Sequence, residues 1–140
     1  MFRIIVAINL IFFSINCTEK KYSPLYYILL PHLRKGLNQP EKVKNIQVHY
    51  NFNILSVELK WDPSFDPDTK LPVPYYFIYL YYEYPQPIAY YDKKYLLDVT
   101  SETQYILYTG NFVGNLYFII TAYDLGSESE ISDIIKIEIP

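Results

Sequence analysis

The last five residues before the C-terminal proline read Ile135-Lys136-Ile137-Glu138-Ile139, apolar and charged in strict alternation. A side chain in an extended strand points to the opposite face from its neighbour, so this pattern fits a half-buried strand and no helix. The same two-residue period recurs along the chain. Leu55, Val57, Leu59 and Trp61 share one face of Ile54–Trp61, and shorter alternating or β-branched runs occupy Val43–Val48, Tyr75–Tyr82, Thr103–Tyr108 and Leu116–Tyr123. Ile88–Tyr91, set between Pro87 and Asp92, is expected to be a short further strand. No stretch after residue 42 sustains the 3.6-residue spacing of an amphipathic helix. About seven short strands separated by turn residues predict an all-β antiparallel sandwich.

Composition narrows the chemistry. One cysteine and four glycines in 140 residues exclude a disulfide scaffold, a Cys-based zinc site and a glycine-rich phosphate loop. Residues 45–140 hold five basic and thirteen acidic groups, a net of −8. Nucleic acid is therefore not an expected partner, because neutralising phosphates needs a basic stripe. His32 and His49 have no local partner at ligand or triad spacing, and no hydrolase or P-loop motif occurs. Neither a catalytic set nor a cofactor site is expected. Asp62, Asp66 and Asp68 offer oxygens to a hard cation, but they lack the glycine and closing glutamate of a calcium loop. Turn formation through Asx hydrogen bonds is the expectation, with no metal.

The N-terminus has its own logic. Arg3 precedes an apolar run, Ile4–Phe13, that is shorter than the roughly 20 residues a membrane span needs. Residues 1–16 thus read as a signal peptide. The lone cysteine, Cys17, follows at once, and Thr18-Glu19-Lys20-Lys21 turn polar. This arrangement resembles a bacterial lipoprotein signal, although Ser14 and Asn16 stand where the usual box has other residues. The resemblance implies lipidation of Cys17, membrane lipid as a partner, and a place in the bacterial cell envelope, on its periplasmic or outer side. The alternatives are an ordinary cleaved signal or an uncleaved anchor, with Cys17 incidental.

Residues 17–42 read as a linker from anchor to domain, and residues 17–44 hold six basic and two acidic groups, a net of +4. Such a tether suits anionic headgroups. Tyr22–Leu33 is unusually apolar. It is expected either to pack on the domain as a short helix or extended piece, or to lie in the lipid interface.

Residues 43–140 carry a further resemblance. Leu59-Lys60-Trp61-Asp62-Pro63, Tyr76-Phe77-Ile78-Tyr79-Leu80, Thr103-Gln104-Tyr105-Ile106-Leu107 and Gly114–Asp124 follow in order, with Gly126, Glu128-Ser129 and Ser132 after them. The ordered set resembles a fibronectin type III domain. One departure is that the family's corner tyrosine falls on Leu116, with Tyr117 on the opposite face. The resemblance implies an immunoglobulin-like sandwich acting as a protein-binding or spacer module, with a polysaccharide-binding accessory domain or a purely structural envelope component as alternatives. It also implies that the third and sixth strands are neighbours. Tyr76, Ile78 and Leu80 then face the core, as do Leu116, Phe118, Ile120 and Ala122. Tyr75, Phe77, Tyr79, Tyr81, Tyr117 and Tyr123 would form an aromatic stripe on the outer sheet face. That stripe is read as a candidate site for a protein or glycan ligand, as a surface covered from within, with Tyr22–Leu33 one candidate cover, or as plain strand composition. The exposed loops are expected at Asp62–Pro74, Tyr84–Pro87 and Leu125–Ser129.

The anchor reading has a direct test. Cys17→Ala is expected to remove the lipid mass and to move the protein out of the detergent fraction; unchanged partition and mass would contradict it.

Overall fold

In the computed structural model, residues 38–140 are described. The signal segment 1–16, Cys17 and Tyr22–Leu33 lie outside the described residues. Seven strands appear: β1 (Gln47–Asn51), β2 (Ser56–Lys60), β3 (Tyr75–Tyr81), β4 (Leu96–Thr100), β5 (Gln104–Tyr108), β6 (Gly114–Tyr123) and β7 (Ile135–Ile139). They form two sheets, β1-β2-β5 and β4-β3-β6-β7, and the pairings within them are antiparallel. The all-β sandwich expected from the alternation is what the described residues form.

The core lies between the sheets. β2 contributes Val57 and Leu59, β3 contributes Tyr76 and Ile78, and β6 contributes Leu116, Phe118, Ile120 and Ala122, all buried. Trp61 packs edge-on against Tyr76 with ring centroids 5.4 Å apart. The Tyr76 hydroxyl accepts a hydrogen bond from the Ser64 backbone N–H at 2.9 Å. Desolvation raises the Tyr76 pKa, opposed by its hydrogen bonds to Ser64. β3 and β6 are neighbours as the resemblance implied, paired with Ile78 opposite Ile120 and Leu80 opposite Phe118.

Two strand expectations shift. β1 starts at Gln47, not at Val43, because Asn45 takes a left-handed conformation (φ 54°) that breaks the extended run. The Asn45 side chain donates to Asp62 at 2.6 Å, the Lys44 carbonyl accepts from the Asp62 N–H, and Val43 reaches the core ahead of the strand. Ile88–Tyr91 is not a strand. Pro87 opens a 3-10 turn, Pro87–Ala89, and a second turn, Lys93–Tyr95, is capped by the Asp92 side chain. The fourth strand is Leu96–Thr100, an edge strand paired only to β3. Its Asp98 and Val99 are exposed, so its sequence carries little alternation.

The ends of the sandwich differ. Residues 38–41 join at one end, where the Glu41 N–H donates to the Phe65 carbonyl and the Asn38 side chain to Asp68. The 62–74 and 124–129 loops lie at this near end, since Tyr75 pairs with Tyr123 there. β1 runs to the far end, where the 52–55 turn meets Tyr108 and Thr109; the Thr109 N–H donates to the Leu55 carbonyl at 2.8 Å.

Candidate functional site

The six aromatic residues read as an outer stripe do lie on the outer side of the four-stranded sheet, but they are not an open stripe. Tyr79 and Tyr81 are 0% and 3% exposed. They form a second apolar cluster with Ile119, distinct from the core between the sheets. The expectation of exposure at these two positions is corrected. The covering comes from two segments of the domain itself: Ala89, Tyr90 and Tyr95 from the 3-10 region, and Ile131 and Ile134 ahead of β7. Tyr75, Phe77, Tyr117 and Tyr123 are half-buried. Phe77 stacks on Tyr123 at 4.9 Å, and Tyr117 meets Tyr84 edge-on at 5.8 Å.

Polar contacts lock the cover in place. The Tyr81 hydroxyl lies 2.9 Å from the Ala89 carbonyl and 3.0 Å from that of Tyr90. The Tyr79 hydroxyl donates to Glu128 Oε1 at 2.6 Å, and Thr121 Oγ1 donates to the same oxygen at 2.6 Å. Lys93 Nζ donates to the Tyr79 hydroxyl and to Glu128 Oε2, and stands 4.3 Å from the Phe77 ring centroid. Burial, the Glu128 hydrogen bond and its charge all raise the Tyr79 pKa. This is a structural lock: every strong acceptor in it is occupied by a side chain of the domain.

The acidic loop is likewise explained. Asp66 accepts from the Asp68 N–H and the Thr69 hydroxyl, and its carbonyl accepts from Lys70 N–H. These are turn contacts. His49 is exposed on β1.

Exposed apolar side chains occur elsewhere on the domain, among them Leu71 in the 62–74 loop, Tyr82, Tyr84 and Ile88, and a group of them stands at the far end. Phe52 is 66% exposed, Tyr108 70% and Val113 69%, with Ile54 and Leu55 beside them. The sequence reading did not single these positions out. A signal was present, because residues 50–57 and 103–123 contain no charged side chain in an otherwise acidic domain. Leu55 sits at φ 49°, a left-handed conformation better suited to Gly or Asn. An exposed leucine held there sits against local preference, as contact sites often do.

Comparison with solved structures fits this geometry. A Fn3-like protein from Clostridium thermocellum superposes with a TM-score of 0.55 at 14% identity, over 74% of this chain and 96% of that one. The fibronectin type III domain of human fibronectin type III domain containing protein 3 gives 0.52 at 14%, over 74% and 88%. The chicken CNTN1 FN1-FN3 domains give 0.53 at 15%, over 70% of this chain and 30% of that one. The fold is that of fibronectin type III domains. No family model and no curated protein matches the sequence. Leu116, where the resemblance put the corner tyrosine, is buried in the core, and Tyr117 packs in the outer cluster.

The sealed face has a pH signature. Desolvation, followed by the nearby Tyr95, Asp92, Tyr90 and Glu128, pushes the Tyr81 pKa from 10.0 up to about 12. The folded state then holds this proton more tightly than the unfolded chain does. The resulting stability is fully present below pH 10 and is lost as pH rises from there through about 12. Tyr81→Phe is expected to flatten the loss of stability across that window, measured by denaturant melts; an unchanged slope would contradict the assignment.

Proposed function

We propose that this protein is a non-catalytic cell-envelope module, exported by residues 1–16 and held at a membrane through Cys17. Its fibronectin type III-like domain offers the far end to a protein partner. The observation that carries this reading is the set of exposed, uncharged side chains Phe52, Ile54, Leu55, Tyr108 and Val113 at the end remote from Asn38. Depletion of charge with retention of aromatics is the mark of an interface centre. Tyr and Phe rings supply large contact area with little rotamer entropy to lose. The basic residues of 17–44 lie on the membrane side of this reading, and the acidic surface keeps the domain in water.

A spacer role needs only the length and rigidity of the sandwich, and it leaves the patch without a purpose. The protein-contact reading also accounts for Leu55, since Gly or Asn at that position would relieve about 1 kcal/mol of backbone strain.

A photo-crosslinking residue placed at position 108 of the full chain tests it in intact cells. A discrete protein adduct is expected, lost in the Phe52→Ser, Val113→Ser double variant while the melting temperature stays within a few degrees. Adducts to lipid alone, or none, would sink the protein-contact reading.

A further inference from the structure

The segment that seals Tyr81 leaves a cleft on its outer side. The cleft measures about 610 Å³ and lies where β3 ends and the 3-10 region begins. It is an open surface cleft, not an enclosed pocket. Tyr81 and Tyr95, packed with ring centroids 4.6 Å apart, line it. Tyr82 and Tyr84 stand beside them, each more exposed than covered. Each is braced by a half-buried ring: Tyr82 by Phe112 at 5.7 Å, Tyr84 by Tyr117 at 5.8 Å. Pro85 is buried and Pro87 opens the 3-10 turn, so two fixed φ angles hold the wall that carries Tyr84 and Gln86. A wall set in advance spares a ligand the entropy of ordering it.

The polar groups decide what kind of ligand fits. Asp92 and Lys94 pair with each other at 3.1 Å. Among the described residues, no hydrogen bond or ion pair engages the side chains of Glu83 and Gln86, and both are exposed. Glu83 and Asp92 outnumber the single Lys94 in the lining, which disfavours a phosphate or another anion. Exposed rings beside an unengaged carboxylate and amide suit a molecule with flat apolar faces edged by hydroxyl groups.

We propose that this cleft binds a neutral saccharide. The C–H face of a pyranose ring packs on the Tyr84 or Tyr82 ring, the Glu83 carboxylate accepts from ring hydroxyls, and the Gln86 amide donates to one. The inference rests on residues other than the five of the far-end patch, so either reading can fail alone.

Titration calorimetry of the full chain, in a detergent without a sugar headgroup, tests it with chitohexaose, cellohexaose and maltohexaose. At least one of the three is expected to bind. Tyr84→Ala is expected to weaken that binding about tenfold or more. Glu83→Gln, at an exposed position that leaves the fold intact, is expected to weaken it several-fold, while Tyr108→Ser leaves it unchanged. Absence of binding by all three sugars would overturn the proposal. So would binding indifferent to both cleft variants, or a proline-rich peptide bound by the same rings in place of sugar.

Discussion

One carboxylate holds the outer face of this domain closed. Glu128 takes hydrogen bonds from Tyr79, Thr121 and Lys93, and each comes from a different element: β3, β6 and the second 3-10 turn. Phenol and threonine hydroxyls buried without an acceptor would cost about 1–3 kcal/mol each. Glu128 removes that penalty for both with a single oxygen, and Lys93 balances the charge at the rim. Because the acceptor stands on the loop after β6, the same contact pins that loop over the sheet. The apolar cover follows, with Ile131 and Ile134 on one side and Tyr90 and Tyr95 on the other. The domain therefore has two apolar layers, one between its sheets and one under its own loops.

This arrangement separates parts of the surface by chemistry. The near end carries the acidic 62–74 loop, whose carboxylates are taken up by turn contacts and by Asn38 and Asn45. The outer sheet face is sealed over Tyr79 and Tyr81. The far end carries exposed Phe52, Tyr108 and Val113, and the cleft beside Tyr81 combines rings with free polar groups. A chain with so many tyrosines can stay monomeric if most are used internally, and the second layer consumes several of them.

The sandwich was legible because alternation is a local property. The two-residue period groups Leu116, Phe118, Ile120 and Ala122 on one face of β6 and Tyr76 and Ile78 on one face of β3, the fibronectin type III resemblance turned those faces inward, and they are buried there. The same period says which residues share the other face, and Tyr79, Tyr81 and Tyr117 do share it. It says nothing about what lies over that face, since the cover comes from residues far along the chain. A sequence clue existed: Leu116–Ala122 is apolar on both faces apart from Thr121, and a strand of that kind is covered on both sides. The fourth strand was missed for the opposite reason. Leu96–Thr100 is an edge strand with exposed Asp98 and Val99, so its sequence shows no clean period. Pro87 and the Asp92 cap explain why the segment before it coils into 3-10 turns.

Tyr79 and Tyr81, at the centre of the tyrosine face, are internal, and Tyr108 at the far end is open. Nitration of the folded full chain by tetranitromethane, mapped residue by residue by mass spectrometry, tests this most directly. Tyr108, 70% exposed, is expected to react early, while Tyr79 and Tyr81, at 0% and 3%, stay unmodified until the protein unfolds. Modification of Tyr79 and Tyr81 at the rate of Tyr108 in the folded protein would contradict the account.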